Sequence, residues 1–578
     1  MNRSMKWVFL LLGILTLGAS VGLAQIITGS IVGQVTDPSG AVIPSVQVTV
    51  TNQGTGISVQ RSADASGAYS IPDLQAGIYD VTVTKTGFRT YHGTGVQLLA
   101  SQSVRVDVKL EVGNVQQQVT VTAQAPLVNT EGAEIRGSAS VRQIMDLPLA
   151  QQSIDGLMIL VPGAQNMGSS PQIGGATHWG GSNFTINGIQ ANDFGNGAAA
   201  YSYGTGLLSL PALDSLQEFK IDAYSMNAEY RNVATVTMVT KAGGNQFHGQ
   251  LYEYNENAAL NANTFLNNAA GRVRPPAVRN QFAGNVGGPI LKNKLFFFAD
   301  YTGFRNRQYS AVQLNLPTMQ MRQGNFSAYA TQLYNPFTGA AFGGNQVDST
   351  LITAQAKTLM TYLPAPTSNF TGAGLPNAAY DYYGLVSTAQ DMNEVDVRVD
   401  YHLSDKDSIY GVYTRNIASP YSWALGGPPQ YGNASSFGYK TYGYSLVETH
   451  TFNPHALNDL RLAWFNHPNI RSGINLDFNP QSLFPQLTTS PNRGLPSMNL
   501  TAGGYPTMFN DYGKGYYGQA PDGELTDNFT YIHGHHTIKA GTDIAGYKTY
   551  GPSPNASLGA FTFSGQWTGN KGWPALGL

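Results

Sequence analysis

Cysteine is absent from the 578 residues, which excludes disulfides, thiolate metal sites and cysteine nucleophiles. The absence also suits a protein exported through an oxidising compartment, where spare thiols mispair. Charge is scarce too: 11% of residues, against about 25% in ordinary soluble domains. The 32 basic and 34 acidic residues leave a formal net charge of −2, so no nucleic-acid partner is expected. Long apolar runs are missing after the first residues, and Trp7–Leu17 falls short of the roughly 20 residues that a membrane-spanning helix needs. Any further membrane crossing must therefore use strands.

The missing charge is replaced by glycine (66), tyrosine (32), phenylalanine (25) and neutral polar residues. Disordered chains are rich in charge and poor in aromatics, so this composition points to β structure with an unusual exterior. Arg3 and Lys6, the apolar run after them, and Gly22-Leu23-Ala24 form an export signal with cleavage expected after Ala24. The alternative is an uncleaved anchor helix.

From Gln25 to Val112 short alternating runs recur between turns: Ile31, Gly33 and Val35; Val46, Val48 and Val50; Tyr79, Val81 and Val83; Val104, Val106, Val108 and Leu110. Asp37-Pro38-Ser39-Gly40 is a turn sequence. This is the pattern of a small β-sandwich. "GSIVGQVTDPSGAVIPSVQVTV" followed by "DASGAYSIPDLQAGIYDVTV" resembles the carboxypeptidase regulatory-like domain, a non-catalytic appendage in other proteins, so the resemblance implies no peptidase.

A polar stretch, Asn114–Thr130, follows; helical spacing then appears at Val141, Ile144, Met145, Ile154, Leu157 and Met158, and Met145 to Lys241 reads as one mixed α/β unit. After Gly243 strand-like runs of about ten residues dominate. In "EVDVRVDYHLSDKDSIYGVYTRN", Val395, Val397, Val399 and Tyr401 line one face and Asp396, Arg398 and Asp400 the other. One apolar face, one charged face and short turns are the signature of a transmembrane barrel. The stretch from Tyr309 to Asp391 is too long for a loop of a compact soluble domain and suits an external loop of a barrel. In "KNKLFFFADY" the turn falls near Lys292-Asn293-Lys294; Phe296 and Phe298 share one face and Phe297 the other, with the inward phase left open.

"LPLAQQSIDGLMILVPG", "SLQEFKIDAYSMNAEYRNVATVTMVTKAGGNQFHGQLYEYNEN", "RNQFAGNVGGPILKNKLFFFADYTGFRNRQ" and "GHHTIKAGTDI" resemble, in this order, the Oar-like branch of TonB-dependent outer-membrane receptors. One departure is Asn187-Gly188, where the family commonly has Asp-Gly; both fit a tight turn. The resemblance implies a mainly β protein: signal peptide 1–24, β-sandwich 25–112, extended linker 113–140, mixed α/β plug 141–243, and part of a large antiparallel transmembrane β-barrel at 244–578. It implies an outer-membrane location with the N-terminal domain in the periplasm, and a contact with outer-membrane lipid. It further implies an external substrate of unknown kind and a TonB-type energy-coupling protein that grips a short extended segment.

The candidate for that segment is Gln118, Val119, Thr120, Val121, Thr122 and Ala123, a β-prone run without proline or charge that can add as a strand to a partner's sheet edge. The alternative reading makes Val119–Ala123 a last strand of the N-terminal domain. His533, His535 and His536 read as a hairpin turn rather than a zinc site, since no acidic ligand stands near them in sequence. No catalytic constellation, metal site or cofactor motif is expected: "GGATHWGGSNFTING" lacks the lysine of a phosphate loop. The alternative to transport is a surface or adhesion protein anchored by the barrel. Residues 244–578 accommodate roughly ten to fourteen strands at about ten residues each plus loops, fewer than the roughly 22 of plugged transporters. With "KGWPALGL" at its end, the chain is expected to be part of a longer protein.

Overall fold

The computed structural model describes residues 29–100, 102–113, 118–122, 135–140, 164–166, 171–173, 182–191, 215–223, 234–269, 271–367, 382–404, 406–425, 431–453, 456–466, 469–475, 477–486, 494–500, 518–519, 522–533, 536–546, 549–550 and 558–565, with residues 507, 509 and 568. The expected export signal, the helical spacing of 141–161, Ala123, His535 and the last residues lie outside them.

The N-terminal strands are β1 (Gly29–Thr36), β2 (Gln47–Asn52), β3 (Ser58–Ser62), β4 (Ala68–Leu74), β5 (Gly77–Thr84), β6 (Thr90–Leu98), β7 (Ser103–Arg105), β8 (Val108–Lys109) and β9 (Gln118–Thr122). One sheet has the order β4-β1-β7 with β8 also on β1, and the other runs β3-β2-β5-β6-β9. Residues two apart on a strand share a face. Ile31, Val35, Val48, Val50, Val81, Val83, Val104 and Leu110 therefore meet in one buried core. Two like-built turns close β1 and β4: Asp37 Oδ1 accepts from the Ser39 and Ala41 amides, and Asp64 Oδ1 from those of Ser66 and Ala68.

Tyr69 Oη donates to the Val106 carbonyl at 2.6 Å, and burial pushes its phenol well above the ordinary value of 10.0. A phenol with a raised folded pKa contributes stability that is present below pH 10 and lost as the pH rises above it. Tyr69→Phe is expected to lower sandwich stability by about 1 kcal/mol and to remove this tyrosine's share of the alkaline loss. Calorimetry of the full chain between pH 7 and pH 11 checks both.

The region expected to form a plug, called the plug below for its place in the chain, contains β10 (Ile135–Ser140), β11 (Ala164–Asn166), β12 (Pro171–Ile173), β13 (Ser182–Ile186), β14 (Ile189–Gln190), β15 (Leu216–Ala223) and β16 (Ala234–Thr240). Five form one sheet, β10-β15-β16-β13-β14, with β13 parallel to β16 and the other pairings antiparallel. This sheet begins inside the stretch that the sequence reads as linker, because Ile135–Ser140 pairs with the whole run Ala223 back to Glu218.

The third part is an eleven-stranded sheet: β17 (His248–Asn257), β18 (Ala277–Leu291), β19 (Leu295–Leu314), β20 (Tyr382–Ser387), β21 (Gln390–His402), β22 (Asp407–Leu425), β23 (Tyr431–Asn453), β24 (Ala456–Asn466) and β25 (Asn469–Gly473). After β26 (Ser497–Leu500) and β27 (Gly518–Gln519), the sheet resumes with β28 (Asp522–His533) and β29 (His536–Gly546). The main path is an antiparallel meander, β17-β18-β19-β21-β22-β23-β24-β28-β29. Its short turns lie at one end, one of them at Lys292–Lys294, where Asn293 adopts φ 59°. The opposite end carries the long connections. Of these, residues 315–381 include α1 (Met319–Arg322) and α2 (Ala354–Tyr362). That connection shares an apolar core with the one after β25: Leu316 and Leu363 cluster with Phe484, Leu495 and Met498.

The two faces of this sheet have inverted polarity. Asp396, Arg398, Asp400, Asp459 and Arg461 are buried, while Tyr444, Leu446, Leu462, Trp464, Tyr531, Ile538 and Ile544 are exposed. Apolar out and polar in is the arrangement of a membrane barrel. Among the described residues no helix is long and apolar enough to cross a membrane. The phenylalanine run resolves accordingly: Phe296 and Phe298 are buried on the polar side, and Phe297 lies on the outer face, 6.3 Å from the Phe247 ring.

Candidate functional site

The described chemistry concentrates where the plug meets the inner face of the large sheet. Asn187 and Gly188 join β13 to β14 with φ values of 51° and 77°, the two left-handed residues of a type I′ turn. Asn187 is additionally held by its side chain, whose Oδ1 accepts from the Thr240 amide at 3.0 Å and from Thr240 Oγ1 at 3.2 Å. This tight turn pushes two backbone carbonyls toward the sheet. Tyr410 Oη donates to the Asn187 carbonyl at 3.3 Å, and Arg461 Nη1 to the Gly188 carbonyl at 3.0 Å. Beside them, the Gln190 amide donates to Glu524 Oε2 at 3.1 Å.

Two arginines hold this seam, and each is neutralised on its own strand. Arg461 Nε sits 2.5 Å from Asp459 Oδ1, and Arg398 Nη2 sits 2.7 Å from Asp400 Oδ1. Residues two apart on a strand share a face, so Asp-x-Arg and Arg-x-Asp place an ion pair on the inner face without bending the backbone. Arg398 Nη1 also donates to the Thr240 carbonyl at 3.2 Å, and its guanidinium lies 4.3 Å from the Tyr410 ring centre. A buried cation needs both a counter-ion and acceptors for its remaining protons, and one plug carbonyl serves each arginine here. The sequence puts Asp396, Arg398 and Asp400 on one charged face, which the structure turns inward, but it does not single out Arg461, Tyr410 or Glu524. The visible signal was a pair of opposite charges two residues apart in otherwise apolar strands, "DVRVD" and "NDLRLAW".

A second contact fixes the sandwich to the plug. The Ala100 amide donates to Glu218 Oε2 at 2.7 Å, and the Ala100 carbonyl accepts from Lys220 Nζ at 3.0 Å. Lys220 is fully buried and pairs with Asp222 at 2.8 Å. Glu218, Lys220 and Asp222 thus form one charged face of β15, while Phe219 and Ile221 bury on the other. Near the first short turn of the large sheet, the Asn245 amide donates to the Gly54 carbonyl at 3.1 Å, and its side chain bonds the Thr55 carbonyl and, at 2.6 Å, Asn293.

The candidate partner-binding residues Gln118 to Thr122 form β9, which pairs in parallel with β6 from Thr90↔Gln118 to Thr94↔Thr122. The segment therefore occupies the end position of the sandwich's second sheet, in line with the alternative reading of it as a last strand of that domain. Ala123, its last residue, lies outside the described residues.

His533 and His536 face each other at the base of the β28–β29 hairpin, as the turn reading expects. A different group was not singled out from sequence: Asp407, Glu448 and His450 hold their donor atoms within 4.8 Å of one another. They share the outer face with Tyr444 and Leu446 by strand alternation, and His450 Nδ1 lies 2.6 Å from Asp407 Oδ1.

Comparison with known proteins follows this division. The family described as Outer membrane beta barrel domain matches residues 239–576, and the Carboxypeptidase regulatory-like domain matches residues 30–111. The TonB-dependent transporter Oar of Myxococcus xanthus is 25% identical over 333 residues, covering 54% of this chain and 30% of that protein. Among solved structures, the outer membrane transporter YddB from Escherichia coli gives a TM-score of 0.42 at 11% identity, covering 70% of this chain and 47% of that one. The siderophore receptor PirA from Acinetobacter baumannii gives 0.40 at 10% identity, covering 71% and 47%. The chain thus spans 30% of the length of Oar and 47% of each of these two structures.

Proposed function

The chain belongs to the Outer membrane beta barrel domain family, and on that premise we propose that it works as a TonB-dependent receptor and transporter of the outer membrane. The exported chain keeps its sandwich in the periplasm, at the short-turn end of the large sheet, and presents the long connections outward. An external substrate binds at that outer end. The plug closes the lumen until an inner-membrane coupling protein takes hold of Gln118–Ala123 and pulls.

The observation that carries this reading is the seating of the plug turn on the charged inner face, through Arg461 and Tyr410. A barrel serving only as an anchor needs no folded unit held by reversible polar contacts on its lumen side. Hydrogen bonds to backbone carbonyls can be broken and remade, whereas apolar packing of equal area would resist withdrawal. The similarity to Oar, itself a TonB-dependent transporter, supports the same reading.

The test is solute depletion from the medium by cells carrying the full-length protein, compared with cells carrying the deletion of Gln118–Ala123. Transport predicts a compound class consumed only by energised cells with the intact segment, and spared when a protonophore is added. Identical depletion in both strains, with surface adhesion retained, would favour the anchored surface protein instead.

A further inference from the structure

We infer that the sandwich domain stores the coupling segment, so that Gln118–Thr122 is available to a partner only after it has left the edge of β6. The inference rests on the functional reading above and adds to it a control element within the same chain. Its starting point is the parallel register of β9 on β6, one residue of each for five consecutive pairs.

The storage strand is built to be released. It is five residues long, it occupies the end of its sheet, and parallel pairing is somewhat less stable per residue than antiparallel pairing. Its partner strand is locally irregular: the β5–β6 ladder shifts register between Tyr79 and Val81, and Gly95 takes φ 78° beside the last pair. Glycine inside a strand weakens it by loss of packing and by entropy, and β6 carries Gly93 at the fourth pair as well.

The host of the strand cannot follow it. Ala100 is clasped by Glu218 and Lys220 of the plug, and the Gly54–Thr55 tip is bonded to Asn245. A segment still integrated in the sandwich sheet is therefore tied to the plug and the barrel at two further points. A partner that draws the segment toward the inner membrane must first part it from β6, so storage and coupling exclude one another. The apparent affinity for the partner is then the intrinsic affinity multiplied by the fraction of time the strand is free.

The test locks the strand in place. The chain has no cysteine, so His92→Cys with Thr120→Cys, at the central pair of the ladder, gives one unambiguous crosslink. Neighbouring strands lie about 4.8 Å apart, within the reach of a disulfide. The purified full chain in detergent is titrated with the periplasmic C-terminal domain of the host's TonB-type coupling protein, before and after reduction. The expected result is that the oxidised form binds at least about tenfold more weakly than the reduced form, as for a segment that is free less than about a tenth as often once locked. The reduced form of the same variant is the folding control. Equal binding of the two forms, or failure of the crosslink to form in the folded protein, would overturn the inference. The deletion of Gln118–Ala123 separates it from the functional reading. If deletion abolishes binding while the lock does not, storage alone fails; if deletion leaves binding intact, the assignment of the coupling segment fails.

Discussion

Arg461→Ala is expected to cost about 3–5 kcal/mol, the range for removing one partner of a buried ion pair, and to loosen the plug turn at the same time. The side chain is 1% exposed, as is its partner Asp459. Truncation leaves the Asp459 carboxylate in a dry site without its cation, and the Gly188 carbonyl without its donor. The loss should appear as a lower urea midpoint for the detergent-solubilised chain and as faster proteolysis within the plug. Arg461→Met combined with Asp459→Leu removes the charge pair together and should recover most of the stability, since apolar replacement of a whole buried pair is often neutral. It should not restore resistance of the plug to proteolysis, because the Gly188 carbonyl is still unbound. A single-mutant loss below about 1 kcal/mol, the range of exposed pairs, would mean that water reaches this seam and that the turn is not held there.

Lys220→Ala should cost a similar amount, about 3–5 kcal/mol on the same grounds, but with a different outcome in space. Lys220 pairs with Asp222 and donates to the Ala100 carbonyl, so its loss weakens the plug from within and leaves the Glu218 and Asn245 contacts to hold the sandwich. The sandwich itself keeps its own core and should stay folded. The expected pattern is a wider separation of the sandwich and plug transitions in calorimetry than in the native chain, with faster protease cleavage in the region between Val112 and Ile135. Glu218→Gln keeps a hydrogen-bond acceptor for the Ala100 amide and should have a much smaller effect. Equal damage from both substitutions would show that charge on this face of β15, rather than the clasp on Ala100, is what the plug requires.

Much of the barrel was legible because alternation is a local property. A strand places every second residue on the same side, so "EVDVRVDY" declares one apolar and one charged face before any neighbour is known. The same rule gave the sandwich: the buried positions of β1, β2 and β5 are the ones its periodicity marks. Turns were equally local, since Asn293 and Asn187-Gly188 occupy left-handed backbone that those residues tolerate. The start of the plug was not legible. Ile135–Ser140, "IRGSAS", carries little apolar signal and becomes a strand through its pairing with β15. The candidate coupling segment was ambiguous for a related reason. A short β-prone run reads the same whether it lies free or pairs at a sheet edge, and its chosen neighbour, β6, is about thirty residues away along the chain.

Composition, alternation and turn chemistry were thus set by the sequence alone: a β chain with polar and apolar faces, few charges and no thiols. The tertiary structure decided what each face meets. Phe296 and Phe298 turn inward and Phe297 outward because the hairpin's register puts Asp300 and the aspartates of β21 on the same side as the plug. Arg461 became an anchor because a glycine carbonyl 273 residues away arrives within hydrogen-bond distance. Such meetings depend on the closure of several sheets at once, and no window of local sequence contains both halves of the contact.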